Sequence, residues 1–95
     1  MDVTGSSHYR AAVGRLEALA NDLSGRGFVT TLVSGSEQPN VTVLNKAALH
    51  LSETIYAAPA GDGSWWLWWS WAERIAPVDD VDTAAFKIAQ VLTVP

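Results

Sequence analysis

Two glutamates and an arginine are the residues of this chain that come nearest to an acid–base site. Glu53 falls in one predicted strand, and Glu73 and Arg74 fall in the next. Side chains alternate along a strand, which predicts both carboxylates on the helix-facing side of a sheet. Such a pair could exchange protons with a substrate, so an enzyme that uses Glu53, Glu73 and Arg74 is one candidate function. No pocket-forming loop, phosphate loop or nucleophile motif accompanies them, and no catalytic residue is assigned.

The residue types argue against a metal site and against nucleic-acid binding. His8 and His50 lie far apart and have no carboxylate at ligand spacing, and the chain has no cysteine. No metal site and no cofactor are therefore predicted.

Six Lys and Arg residues against ten Asp and Glu residues give a net charge of −4. Nucleic-acid binding is not expected, because phosphate contacts require clustered basic residues. No apolar run reaches the roughly 18 residues of a membrane helix, so no membrane partner and a cytoplasmic location are expected.

The five tryptophans between Trp65 and Trp71 are the most unusual feature of the sequence. Alternation places Trp65, Trp69 and Trp71 toward the helices, where large aromatic side chains would supply most of a small core. Trp66 and Trp68 then project from the opposite face of the sheet. The residues predicted to share that face with them are Tyr56, His50, Thr54, Ser70 and Arg74.

An aromatic patch of this kind is rarely left in contact with water on a monomer. One explanation is self-association, in which two sheets pack face to face in a symmetric homodimer, and another is binding of a different protein. A third is a small aromatic or sugar ligand that stacks on the rings. We expect a non-catalytic protein-binding or regulatory module that self-associates, with the small-ligand binder and the enzyme as alternatives. The predicted contact residues are Trp66, Trp68, Tyr56, His50, Thr54 and Arg74.

Two helices are predicted to position this sheet. The first begins at Ser6 or Ser7, either of which could cap it, and ends before the glycines Gly25 and Gly27. Its apolar residues recur every three or four positions: Tyr9, Ala12, Val13, Leu16, Leu19, Ala20 and Leu23. The second helix follows a cap at Asp79 or Asp80, and its apolar stripe is Val81, Ala84, Ala85, Ile88, Val91 and Leu92.

Four strands are predicted between the helices, at residues 28–33, 41–44, 49–57 and 65–75. Their short connections indicate antiparallel neighbours, because parallel neighbours need long crossovers. A three-residue loop at 61–63 would pair Ile55 with Trp69 and gather the larger apolar set on the helix side. A two-residue turn at 62–63 would instead pair Ile55 with Trp68. The first register is preferred because it buries more apolar surface.

The chain of 95 residues, with an apolar share of 48%, is long enough for one hydrophobic core. Residues 1–95 are predicted to form a single α+β domain, with residues 1–5 as a flexible tail. The order α-β-β-β-β-α predicts two layers, namely a four-stranded antiparallel meander with both helices on one face. The other face of the sheet is then uncovered within the monomer.

The stretch from Trp65 to Asp80 resembles a run in small single-domain actinobacterial proteins of no established function, written WW-x-WWSW-x-ERI-x-P-x-DD. Similar sequences share a Gly25-Arg26-Gly27-Phe28-like helix end, an Asn45-centred turn and a Leu51-Ser52-Glu53 segment, so the resemblance covers nearly the whole chain. It implies that Arg74 pairs with an acid near the corner between the last strand and the last helix. With Glu53 and Glu73, Arg74 forms a candidate buried ion pair. Ala72 departs from the pattern, which has glycine there, and the departure bears on the strand geometry near Glu73.

Overall fold

The computed structural model of this protein describes residues 3–34 and 38–93. A long helix comes first and a short helix comes last, with five strands between them in the described chain. Their bounds are α1 Val3–Gly25, β1 Phe28–Val33, β2 Asn40–Asn45, β3 Ser52–Pro59, β4 Trp65–Trp69, β5 Arg74–Pro77 and α2 Val81–Val91. The predicted α+β class with two helices and an antiparallel sheet is confirmed. The predicted number of strands is wrong, because the sheet has five strands rather than four.

The strands form an antiparallel meander in the order β1-β2-β3-β4-β5, so each strand pairs with its neighbour in the sequence. The hairpin between β3 and β4 has the predicted register, with Ile55 opposite Trp69. Its loop is residues 61–63, closed by a 2.7 Å hydrogen bond from the Ala60 N–H to the Ser64 carbonyl. Gly63 has a φ of 86°, a left-handed conformation that glycine adopts without steric cost.

The core lies between one face of the sheet and both helices. Leu16 and Leu19 of α1 and Ile88 of α2 are fully buried and belong to the same cluster as the strand residues. The strand side chains in this cluster are Phe28, Val41, Val43, Ile55, Ala57, Leu67, Trp69, Ile75 and Ala76. The register places these positions on one face, except that Ile75 lies at the register shift between β4 and β5 and is buried there. Packing them against the helices stabilises the fold because it removes apolar surface from water. The opposite face, which we call the open face, carries no described helix.

The predicted strand 65–75 is divided by a turn, and this division produces the fifth strand. Ala72 lies in that turn with a φ of 64°, the left-handed conformation that is costly for any residue with a Cβ. The Trp69 N–H donates to the Glu73 carbonyl at 2.8 Å, which closes a hairpin around residues 70–72. Alternation of side chains did not detect this turn, because Ala72 is not a turn residue by type, whereas a glycine there is.

Replacing Ala72 by glycine is expected to stabilise the fold. The substitution removes the strain of the left-handed conformation, but glycine also increases the entropy of the unfolded chain, which offsets part of this effect. We expect the free energy of unfolding to rise by about 0.5–1 kcal/mol. The free energy of unfolding from urea denaturation checks this. Ala47→Gly, in the exposed turn after β2 where φ is not positive, is the control and is expected to give no gain. Equal effects of the two substitutions would contradict the strain at Ala72.

Several element boundaries differ from the prediction. The first helix begins at Val3 rather than at Ser6 or Ser7, so of the predicted tail only residues 1 and 2 lie outside the described residues. The third strand begins at Ser52, and Leu49 lies in the preceding turn with 68% of its surface exposed instead of facing the helices. The second helix is capped by Asp80, whose carboxylate accepts a hydrogen bond from the Thr83 N–H, as predicted for Asp79 or Asp80.

The turn after β2 is held against the second helix by Asn45. Its side-chain amide donates to the Leu92 carbonyl at 2.6 Å, and its side-chain oxygen accepts a 2.8 Å hydrogen bond from the Ala47 N–H. One asparagine thereby fixes the local turn and satisfies a carbonyl at the end of α2.

Among the described residues, neither helix combines the length and the apolar character needed to cross a bilayer.

Candidate functional site

The open face consists of side chains that the antiparallel register places in rows across the sheet. The longest row crosses all five strands and contains Val33, Asn40, Tyr56, Trp68 and Arg74. The next row, toward the β3–β4 hairpin, contains Ala58, Trp66 and Pro77. The aromatic side chains therefore lie over β3, β4 and β5, and the aliphatic side chains of Val29 and Val33 lie at the β1 edge.

Arg74 contacts Trp66 and Trp68 on this face. We call these three residues and Tyr56 the aromatic cluster. The Arg74 guanidinium carbon lies 4.8 Å from the ring centroid of Trp66 and 5.6 Å from that of Trp68. Both distances are within the range of cation–π attraction. Tyr56 is the cross-strand neighbour of Trp68. All three aromatic side chains are half-buried, and Arg74 lies over the two indole rings.

The indole N–H groups of the cluster are held by fixed acceptors. Trp68 donates to the Ala58 carbonyl at 3.0 Å. Trp66 donates to the Ser64 hydroxyl at 3.0 Å, and that hydroxyl donates in turn to the Asp62 carboxylate at 2.6 Å. The hairpin loop is therefore a support for Trp66, since Asp62 orients Ser64 and Ser64 orients the ring.

The same contacts shift the ionisation of Asp62. Hydrogen bonds from the hydroxyl and the backbone N–H of Ser64 hold the pKa of the Asp62 carboxyl below its ordinary value of 3.8, and the positive charge of Arg74 adds to the effect. Each of these interactions favours the charged carboxylate over the neutral acid. Asp62 thus remains ionised in moderately acidic solution, and its support of Trp66 persists there.

Replacing Ser64 by alanine is expected to raise the pKa of Asp62 toward 3.8 and to release the Trp66 indole. A depressed pKa in the folded state contributes stability that is present above the unfolded-state pKa and is lost as the pH falls through the folded-state pKa. The stability difference between wild type and Ser64→Ala should therefore be constant above about pH 4 and shrink below it. An NMR titration of the Asp62 carboxyl, with Ser52→Ala as the control, checks the shift. An unchanged Asp62 pKa in Ser64→Ala would contradict it.

The open face is nearly free of charge. Arg74 is the one charged residue among the open-face positions of the described strands, and it lies on the edge strand β5. Hydroxyl groups occupy the centre of the face, where the side chains of Thr42 and Thr54 lie 3.4 Å apart across β2 and β3. A groove of about 460 Å³ adjoins the aromatic cluster and is lined in part by Gln38, Tyr56, Trp68 and Ser70.

The structure brings four of the predicted contact residues together and separates the others from them. Trp66, Trp68, Tyr56 and Arg74 form the aromatic cluster, and Thr54 lies on the same face, one row away from Tyr56. His50 is exposed in the turn before β3, outside the strand that was predicted to carry it, and it does not share the open face. Ser70 lies in the turn after β4 and donates to the Glu53 carboxylate at 3.2 Å.

The candidate ion pair of Glu53, Glu73 and Arg74 is not what the structure shows. Glu73 and Arg74 are exposed and Glu53 is half-buried, and within residues 3–34 and 38–93 no ion pair joins them. Glu73 accepts a 3.0 Å hydrogen bond from the Trp71 indole, while Arg74 lies on the indole rings of the open face. The turn at Ala72 causes the difference, because it ends the predicted strand 65–75 after Trp69, so Glu73 and Arg74 do not continue along β4.

Two further cationic side chains, Lys87 and Arg15, also have partners other than Glu53 and Glu73. Lys87 donates to the Ile75 carbonyl at 2.8 Å, and Arg15 forms an ion pair with Asp79 at 3.2 Å. In the described part of the chain, no group of three or more His, Asp or Glu side chains is arranged to hold a metal ion.

The three tryptophans predicted to face the core have different environments. Trp69 is buried, with 6% of its surface exposed, and Trp65 is half-buried against the core. Trp71 is 51% exposed, which corrects its placement in the core, because it lies in the turn after β4. It stacks on Trp69 with ring centroids 4.8 Å apart and planes 7° from parallel.

No family model, no curated protein and no solved structure matches this chain. The resemblance to the actinobacterial proteins therefore stays a prediction, and the site is interpreted from its own geometry.

Sequence reasoning missed Asp62 and Ser64 as the support of Trp66. The signal for them was the Asp-x-Ser spacing in the hairpin loop, since Asp commonly accepts a hydrogen bond from the N–H two residues later.

Proposed function

We propose that this chain is a non-catalytic, cytoplasmic protein-binding module that forms a symmetric homodimer by packing two open faces together. The observation that carries the proposal is the contact of Arg74 with both Trp66 and Trp68 on a face that no described helix covers. Trp, Tyr and Arg are the residue types that most often dominate the binding energy of protein interfaces. The aromatic cluster contains all three.

A second copy of the chain suits this face because the face has almost no charge to desolvate. The centres of protein interfaces are depleted in charged residues. Arg74 lies on β5 at the edge of the sheet, so it stays at the rim of a face-to-face dimer and keeps contact with water. The Thr42 and Thr54 hydroxyls at the centre lie within hydrogen-bond distance of each other across β2 and β3.

The size of the face predicts a weak dimer. Strands spaced about 4.8 Å apart and about six residues long give a facing area on the order of 400 Å² per protomer. Two such faces with their side chains bury on the order of 1,000 Å², near the lower limit for a specific interface. We therefore expect dissociation in the micromolar range or above it.

Arg74 also favours this function over a stacking ligand. Its guanidinium lies over the ring faces of Trp66 and Trp68, which a sugar or aromatic ring would need to contact. A stacking ligand must displace this cation, whereas a protein partner can use Arg74 and the indole edges together.

Sedimentation equilibrium across the micromolar range, combined with acrylamide quenching of tryptophan fluorescence, tests the proposal. The expected result is a concentration-dependent rise from the monomer mass of 10.2 kDa to twice that value, with quenching that decreases as the dimer forms. A monomer throughout, with Trp66 and Trp68 accessible to acrylamide, contradicts the homodimer. Saturable fluorescence changes with an aromatic metabolite or an oligosaccharide, in a protein that stays monomeric, would support the stacking ligand instead.

A further inference from the structure

We propose that the outer edge of β1, together with the groove between β1 and α1, binds an extended segment of a partner protein by strand addition. The segment would add to the sheet as a further strand beside β1 and place alternate side chains in the groove. The groove lies on the helix side of the sheet, away from the open face, so the proposal does not depend on the homodimer.

The two edges of the sheet differ in their protection against strand pairing. Strand β5 has four residues, contains Pro77 and the charged Arg74, and is interrupted by a register shift opposite Leu67 and Trp68. These are the features with which proteins block unwanted pairing at an edge. Strand β1 has six residues, FVTTLV, with no proline, no charge and an unbroken register with β2. Within the described residues no strand pairs with its outer side.

A groove of about 370 Å³ lies beside this edge, and it is lined by Glu17, Ala20, Asn21, Thr30 and Leu32. Ala20 and Leu32 are half-buried and form its apolar floor. The Thr30 hydroxyl is already engaged, since it lies 3.0 Å from the Ser24 hydroxyl and donates to the Ala20 carbonyl at 3.5 Å. An apolar side chain of an added strand would therefore bury surface against Ala20 and Leu32 while the Thr30 hydroxyl keeps its own hydrogen bonds.

Charge defines the partner further. Glu17 and Asn21 are exposed on one helical face at the rim of the groove, and Glu17 forms no ion pair in the described chain. A lysine or arginine of the added segment could pair with Glu17, and the net charge of −4 would favour its approach. The partner is thus an extended, basic segment with an apolar residue at alternate positions.

A second copy of the chain is a less suitable occupant of this edge. Its own β1 has α1 packed beneath it, and that helix would compete for the space that the added side chains need. An extended segment without a helix of its own has no such conflict.

The test uses a labelled nine-residue synthetic peptide that alternates threonine with valine or leucine and has lysine at both ends. Fluorescence anisotropy with the full chain should show saturable binding. The same peptide with a central proline should bind at least about tenfold more weakly, because proline cannot complete the ladder of hydrogen bonds. Asn21→Trp, which fills the groove from an exposed position, should also weaken binding at least about tenfold, and Asn21→Ala should not. Glu17→Gln should weaken binding about two- to fivefold.

Circular dichroism confirms that the Asn21 variants are folded before they are compared. Equal binding of the proline peptide, unchanged binding to Asn21→Trp, or no saturation up to about 1 mM peptide would overturn the proposal. If Asn21→Trp abolishes self-association while the peptide does not bind, a second copy occupies the edge and the proposal is likewise wrong.

Discussion

The double variant Trp66→Ala, Trp68→Ala is expected to be a folded monomer at concentrations where the wild type is dimeric. Each indole lies on the open face and contacts Arg74. Truncation of a tryptophan that is a hot spot of an interface costs about 2 kcal/mol or more, a factor of about 30 in affinity. A two-fold interface loses every contact twice, so we expect the dissociation constant to rise at least about 100-fold. Sedimentation equilibrium measures this change.

The fold should survive the double substitution, because neither ring belongs to the cluster between sheet and helices. An unchanged far-UV circular dichroism spectrum would show this, and global unfolding would instead indicate a structural role for the two rings. Trp71→Ala is the matched control, since Trp71 is equally large, 51% exposed and outside the open-face strands. The dimer model fails if Trp71→Ala dissociates the dimer as well as the double variant does.

Trp69→Ala is expected to cause the largest loss of stability among single substitutions of the tryptophans. The side chain is 6% exposed and packs in the core beside Leu67 and Ile75. Removing a buried tryptophan leaves a cavity and costs about 3–5 kcal/mol. Small domains have total stabilities of about 5–15 kcal/mol, so the variant should be marginally folded at room temperature.

Trp71 provides the comparison for Trp69 because the two rings stack 4.8 Å apart while only one of them is buried. Trp71→Ala removes the stacking contact and the hydrogen bond to Glu73, and we expect a loss of about 0.5–1.5 kcal/mol. Urea denaturation followed by far-UV circular dichroism compares the two variants, since tryptophan fluorescence changes in both. A loss for Trp71→Ala as large as for Trp69→Ala would place the exposed ring among the core residues.

Most of the architecture could be predicted from periodicity. The apolar spacing of α1 and α2, the β-branched residues of β1 and the three-residue hairpin loop all led to the observed elements and to the observed pairing of Ile55 with Trp69. The register was predictable because a shift of one residue moves every apolar side chain of a strand to the wrong face. Local pattern and burial favour the same arrangement at these positions.

The turn at Ala72 was not predictable in this way. Alternation continues through residues 65–75 as if they formed one strand, and alanine carries no turn preference. The turn forms because folding back allows Ile75 and Ala76 to be buried beside Leu67, and this gain outweighs the strain of a positive φ. The misplacement of Trp71 and of the Glu53, Glu73 and Arg74 group follows from this one turn.

The sequence alone predicts a small, acidic domain with one apolar core, because this follows from composition. It also predicts tryptophans on both sides of a strand, because the two-residue period depends only on the order of the side chains. Tertiary structure decides which of these residues meet. Arg74 contacts Trp66 and Trp68 rather than a glutamate because β5 folds back beside β4, and a groove opens beside β1 because α1 packs beneath that strand. Contacts between distant segments depend on where the chain reverses direction, and a single alanine in a left-handed conformation sets that point here.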